Sequence, residues 1–400
     1  MSPRNFLSLY SRLIALPLML SFALAGSAWA HPEYRVTVVG PANSLATDIN
    51  NAGVVVGTWS TAPNVTRAFL NRGRGLVDLG TLGGTVSTAA AINDRGEVVG
   101  NWRNAAGEWR GFIYACGRAR DIGAIPGLLT GYTDINDAGY ITASATLPDT
   151  NRTRGYLRAP DGKLTELGTL PVPGQAELAT YTEALNNRNQ VTGTSGRVTF
   201  PEQIFRAFGW RRGKIFDLGD LGSTPNAGRA INDRGQITGE AALPTFRAQA
   251  AFVYSNGRMI NIDGRPDTGF PYSGGTGINN RGHVVGYSNH LSGFIWRGRR
   301  MESLNALIAP GSGWNISNPI AINDAGQIAA NAERNGVQYA VRLDLLRPHV
   351  DAVPALEAPE QAEVAEVAGS ARAQASPQAA ALAQAEAEAQ AREVVLPVGQ

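Results

Sequence analysis

The stretch Ala90-Ala91-Ile92-Asn93-Asp94-Arg95-Gly96-Glu97-Val98-Val99-Gly100 decides the fold. It reads as a short strand, a tight turn and a return strand. Asn and Asp side chains hydrogen-bond their own backbone at turns, and Gly supplies the positive φ that the return strand requires. The core of this stretch, Ile-Asn-(Asp/Asn)-x-Gly or a close variant, recurs seven times. Its first asparagines are Asn50, Asn93, Asn136, Asn186, Asn232, Asn279 and Asn323, at intervals of 43, 43, 50, 46, 47 and 44 residues. In the fourth copy Asn189 replaces the glycine, and Asn is the next best residue at positive φ.

Working outward, each copy continues into an aromatic-bearing strand, such as Arg67-Ala68-Phe69-Leu70, Arg110-Gly111-Phe112-Ile113 and Arg206-Ala207-Phe208. A fourth segment ends in Asp-Leu-Gly or a relative: Asp78-Leu79-Gly80, Asp121-Ile122-Gly123, Glu166-Leu167-Gly168, Asp217-Leu218-Gly219. Four short strands in about 45 residues is the size of one propeller blade. An orphan strand, Arg35 to Val39, precedes the first motif, and the seventh copy lacks its own fourth strand after Tyr339 to Leu343. The expectation is an all-β, seven-bladed β-propeller over residues 31–347, its last blade completed by the N-terminal strand. A β-solenoid is the alternative, although its coils are usually shorter.

The ends differ from this body. Residues 1–30 read as a signal peptide, with Arg4 and Arg12 before the apolar run Leu13 to Ala25 and the small-x-small site Ala28-Trp29-Ala30. No later segment is apolar enough to span a bilayer, so no transmembrane segment is expected after cleavage, and the expected location is periplasmic or extracellular. Residues 348–400 form an Ala/Glu/Gln/Pro tail without aromatic residues, expected to be largely disordered. The tail carries eight acids and two arginines, net −6, and residues 1–30 carry +2, so that the body must carry +6 to give the overall +2. Lys163 and Lys214 are the only lysines. One cysteine, Cys116, excludes a disulfide scaffold, and only four histidines, spread along the chain, argue against a multi-histidine metal centre. The modest charge of an exported body argues against a nucleic-acid partner.

The repeated residues resemble those of the HAF-repeat proteins, a group of bacterial extracellular repeat proteins. Ala90 to Gly100, Asp78-Leu79-Gly80-Thr81-Leu82-Gly83-Gly84 and the Arg-Ala-Phe tripeptides at 67–69 and 206–208 carry the resemblance, which extends over roughly residues 45–345. It implies secretion and a repeat scaffold, and it brings no catalytic residues with it.

The seven motif asparagines are read as structural turn residues. Calcium loops need several converging carboxylates and a late Glu, whereas Asn51, Asn187 and Asn280 stand where other copies have Asp. No metal or cofactor is expected. Asp48, Asp134 and Glu183 stand two or three positions before their motif asparagines, where most copies carry small residues. Carboxylates near one axis could act in glycoside chemistry, and this carbohydrate-active lyase or hydrolase is the alternative reading. Trp59 and Trp102 occupy equivalent places in consecutive repeats, and Trp314 follows Gly311-Ser312-Gly313 in an expected loop. These three are the candidate ligand-binding aromatics. Arg67, Arg110, Arg154 and Arg206 could form a cationic stripe, but their register matches Asp78, Asp121, Glu166 and Asp217 copy for copy, so ion pairing is the expectation. The expected function is a non-catalytic module that binds an extracellular or envelope polysaccharide or protein.

Overall fold

A computed structural model describes residues 32–125, 129–147, 152–171, 178–197, 204–245, 247–265 and 270–347. The readings for 1–30 and 348–400 lie outside these residues. The described chain is a β-propeller-type repeat of four-stranded antiparallel sheets. The first repeat contributes Ser44–Ile49, Val55–Ala62, Val65–Asn71 and Leu76–Asp78, and the second Val86–Ile92, Val98–Arg103, Trp109–Ala115 and Arg118–Gly123. A parallel bridge between Thr66 and Val86 joins these two into one eight-stranded sheet, and five further sheets have four strands each. The last of them pairs Trp314–Ile322, Ile328–Arg334 and Val337–Leu345 with the N-terminal strand Tyr34–Ala42, with Tyr34 opposite Leu345 and Val38 opposite Val341. The orphan strand thus covers an edge that would otherwise be open.

The repeated glycine of the return strand has a packing reason. Gly57, Gly100, Gly193, Gly239 and Gly286 lie directly opposite Phe69, Phe112, Phe208, Phe252 and Phe294 on the third strand. All five rings are fully buried, each contributing roughly 1.5–3 kcal/mol of burial. A Cβ on Gly100 would stand 2.5 Å from the Phe112 ring and 2.3 Å from the Thr88 carbonyl. The third and seventh repeats use Ala143 opposite Tyr156 and Ala330 opposite Val341. One short element was not foreseen. A helical turn, Leu304–Leu307, follows the fourth strand of the sixth repeat, burying Leu304. Asn305 accepts a 2.7 Å hydrogen bond from the Ile316 amide and donates to its carbonyl.

The motif asparagines hold the repeats together. Within each copy the Asn carbonyl accepts from the residue three positions on, and Oδ1 accepts from the amide four positions on, as for Gly53 and Val54 after Asn50. Each Nδ2 then donates to the carbonyl of the next copy's asparagine at 2.9–3.1 Å: 50 to 93, 93 to 136, 136 to 186, 186 to 232, 232 to 279, 279 to 323, and 323 back to 50. The chain of bonds closes on itself, and all seven side chains are buried. Turn chemistry would accept Asp at this position, whereas the ring needs a donor on one side and an acceptor on the other, which only the amide supplies.

Replacing Asn232 by Asp removes the donor and places a buried carboxylate against the Asn279 carbonyl. The expected loss is about 2–4 kcal/mol in urea unfolding. Asp137→Asn, at the adjacent motif position, is expected to change stability by less than about 1 kcal/mol. Equal losses in the two variants would show that the ring is not selective for the amide.

Candidate functional site

The second residue of each motif builds another closed ring on the exposed side of the first. The amide of Asn51 donates to Oδ1 of Asp94, and the pattern runs through Asp137, Asn187, Asp233, Asn280 and Asp324 back to Asn51, at 2.7–2.9 Å. Here the side chain need only accept, so Asp and Asn both serve. Four Asp and three Asn share the ring, and Asp94–Asp137 is its one adjacent acidic pair. The neighbouring Asn51 and Asn280 amides donate to the second oxygens of Asp94 and Asp324.

Residues of all seven copies surround a polar cavity of about 190 Å³, which Asp48 and Asp134 also line. A register shift in the first strand places these two. The pairing slips by one residue between Ala46 and Asp48 and between Tyr132 and Asp134, as at the matching place in every other repeat. Such a bulge re-aims the side chain that follows it. Five repeats put Ala or Gly there: Ala91, Ala184, Ala230, Gly277 and Ala321. Asp48 instead accepts from its own repeat's Ile49 amide at 2.7 Å and from Ile92 of the next at 2.9 Å. Asp134 does the same with Ile135 at 2.7 Å and Leu185 at 2.6 Å. Burial pushes the Asp48 carboxyl up to about 7 against the lowering effect of these amides, with a small push from Asp94. Burial, then the Asp48 charge, pushes Asp134 up to about 8.

Glu183 lies apart from that pair. It faces Arg229, which bonds Glu183 at 2.9 Å and also grips Glu240 at 3.0 and 3.1 Å through Nε. Burial raises the Glu183 carboxyl and the Arg229 charge opposes the shift. Asp48 and Asp134 are therefore brought to one cavity, while Glu183 is held in an ion-pair network. Among the described residues no three His, Cys, Asp or Glu side chains converge as metal ligands would.

The tryptophans do not form a common surface. Trp102 is 7% exposed and packs in the core, its indole N–H donating to Asp121 at 3.3 Å. In this position it contributes to packing between the first two repeats. Trp59 is half-buried, edge-on to Phe69 with centroids 6.0 Å apart, and lines a groove with Val38, Pro41 and Leu76. Trp314 opens a strand rather than lying in a loop. Its ring meets Tyr339 edge-on at 5.7 Å, with the Arg334 guanidinium 5.3 Å from its centre. The Arg67, Arg110, Arg154 and Arg206 series pairs with Asp78, Asp121, Glu166 and Asp217 at 2.8, 2.7, 3.4 and 2.9 Å.

The donor role of the motif asparagines escaped the sequence reading. A signal for it was present: the first position is Asn in all seven copies while the second varies between Asn and Asp.

The raised carboxyls at Asp48 and Asp134 favour the protonated form in the fold. Their contribution to stability is complete below the unfolded value near 4, declines as pH rises through 7 to 8, and is absent above. The urea midpoint is expected to fall between pH 5.5 and 8.5, and the double variant Asp48→Ala/Asp134→Ala should flatten that decline. Asp121, Asp263 and Asp344, whose carboxyls are lowered mainly by Arg partners acting against burial, act in a separate window below about pH 4. An unchanged pH dependence in the double variant would refute the assignment.

No protein-family model and no curated protein matches the chain. Solved structures do. An acylaminoacyl peptidase of Pyrococcus horikoshii matches at 12% identity over 73% of this chain and 49% of its own, with a TM-score of 0.47. YCF48 bound to a D1 peptide matches at 11% identity over 81% and 98%, with a TM-score of 0.48. A gluconolactonase of Xanthomonas campestris matches at 12% identity over 79% and 93%, with a TM-score of 0.40. The chain spans about half the length of the peptidase.

Proposed function

We propose that the chain is an exported, non-catalytic binding scaffold of the HAF-repeat type, a seven-bladed propeller in which the eight-stranded sheet counts as two blades. Its partner is an extracellular or envelope polysaccharide or protein, and its location is periplasmic or extracellular. The observation that carries this reading is the occupation of the carboxylates that an enzyme would use. Both oxygens of Asp48 and of Asp134 accept backbone amides of two successive repeats. Glu183 is paired with Arg229. Side chains with these partners tie successive repeats together and are held in place by them, which is the role of a structural carboxyl. The cavity they line, about 190 Å³, is also smaller than the usual range for ligand sites.

A carbohydrate-active hydrolase or lyase is the second reading. It rests on two proton-holding carboxyls in one cavity, the combination from which an acid and a base can be made.

One experiment separates the two. The full chain is incubated with a panel of neutral and acidic polysaccharides, and both co-sedimentation and new reducing ends are measured. The scaffold reading expects retention with no new ends, unchanged in Asp48→Ala. New ends that vanish in Asp48→Ala or Asp134→Ala would establish the enzyme instead.

A further inference from the structure

In each four-stranded meander the first-to-second turn and the third-to-fourth turn lie at the same end of the sheet. The asparagine rings mark that end, so the third-to-fourth turns surround them. Each of the six third-to-fourth turns carries an exposed cation, in the turn or on the strand residue that follows it: Arg72, Arg118, Lys163, Arg212, Arg258 and Arg299. None of these six has an ion-pair partner among the described residues. Asp161 is the sole acid on the same turns, and its Oδ1 accepts the Lys163 amide. Both lysines of the chain are at this end, Lys214 opening the strand that follows the turn of Arg212. At the other end the signs mix, with Arg103 near Glu108, Arg265 on Asp263, and Arg334 beside Glu333.

The first-to-second turns add arginines to four copies, Arg95, Arg188, Arg234 and Arg281. Between the first two repeats, both kinds of turn frame a cleft of about 730 Å³. Arg72 and the ion pair Arg95–Glu97, closed at 2.8 Å, line it beside Val77, Tyr114 and Cys116. The Arg72 guanidinium reaches across to the next repeat, 3.9 Å from where a side chain on Gly96 would begin.

We infer that this end of the molecule binds an acidic polysaccharide, a polymer whose sugars carry carboxylate, sulfate or phosphate, with Arg72 in this cleft as the anchoring cation. The inference rests on the binding-scaffold reading and names its ligand class. Guanidinium groups bind such anions in two-pronged fashion, and the cleft has the volume of a small-ligand site. The distribution of charge selects a flexible chain over a flat surface. Cations stand on the rim, whereas Asp94, Asp137, Asp233 and Asp324 ring the centre. A polymer following the rim meets six cations without ion-pair partners and only two acids, Asp161 and the Glu97 that is paired with Arg95. A flat anionic membrane pressed against the same end meets the central acids as well. The turn segments between the cations are mostly glycine and lack the aromatic platforms on which single-stranded nucleic acids stack.

The test uses the full chain, with alginate as a polyuronate, dextran as a neutral polymer and phosphatidylglycerol vesicles as an anionic surface. The variants are Arg72→Ala/Arg118→Ala/Arg212→Ala on this end and Arg103→Ala on the other, each checked for folding by circular dichroism. Alginate is expected to bind, more weakly as salt rises, and the triple variant to lose about tenfold in affinity. Arg103→Ala should match the parent. If dextran binds as well as alginate, or the triple variant binds alginate like the parent, the acidic-ligand inference fails and the scaffold reading stands. If vesicles bind through these arginines and alginate does not, the ligand is a lipid surface and the inference is wrong. If no polysaccharide of either charge binds, the inference and the polysaccharide reading fail together.

Discussion

Everything in this molecule depends on an amide side chain that must accept on one side and donate on the other. Each motif asparagine uses Oδ1 to fix its own turn and Nδ2 to reach the next repeat's carbonyl. The first use is local and would be satisfied by Asp. The second fixes the distance and angle between neighbouring sheets, because a bond near 3 Å tolerates little displacement. Buried in the centre, these bonds gain from the low local dielectric, and any one left unmade exposes an unpaired polar group to that same environment. The strands outside can vary in length, as the intervals of 43 to 50 residues show, provided the ring position returns to its place.

Around this hub the repeats are joined by devices that recur with variations. Ser87 of the second repeat donates to the Gly80 carbonyl at the end of the first, Thr180 to Gly168, and Asn226 to Gly219. The Asp-Leu-Gly segment is thus capped by the first strand of the following repeat. Asp48 and Asp134 add a bridge from carboxyl to backbone amide. They span from one first strand to the next, and the cost is a carboxyl held away from its usual ionisation range. The Arg–Asp and Arg–Glu pairs across the third and fourth strands are partly exposed, so each adds modestly to stability, but together they neutralise charge that would otherwise line the sheet faces.

Much of the fold was legible because its signals are local. The turn at Asn93 to Gly96, the glycine opposite Phe112 and the orphan strand at Arg35 are each set by a few adjacent residues, and repetition multiplied a weak pattern into a decisive one. What could not be read depends on neighbours far along the chain. Trp102 resembles Trp59 in sequence position, yet one is enclosed by the core of the first two repeats and the other lies half-open beside the N-terminal strand. Trp314 follows a glycine-rich segment and still joins a strand, because Tyr339 and Arg334 receive its ring. The helical turn at Leu304 has no capping side chain to announce it. The carboxylate pair was visible as an exception among small residues. Its role was not, since the amides it accepts come from a register shift that no composition reveals.

The closed ring also sets an order of assembly. Six of its bonds link residues 43 to 50 positions apart, and the seventh links Asn323 to Asn50, 273 positions apart. The entropy of closing a loop grows with its length, so adjacent repeats can pair as soon as both are present, while the final joint must wait for the last one. The strand Tyr34–Ala42 waits longest. It is the first of the described strands to be made and the last to find its partner, since Val337–Leu345 lies some 300 residues downstream. Until then the growing array carries an unpaired strand at one end and an unfilled edge at the other. That interval is when its exposed backbone is most open to pairing with another chain.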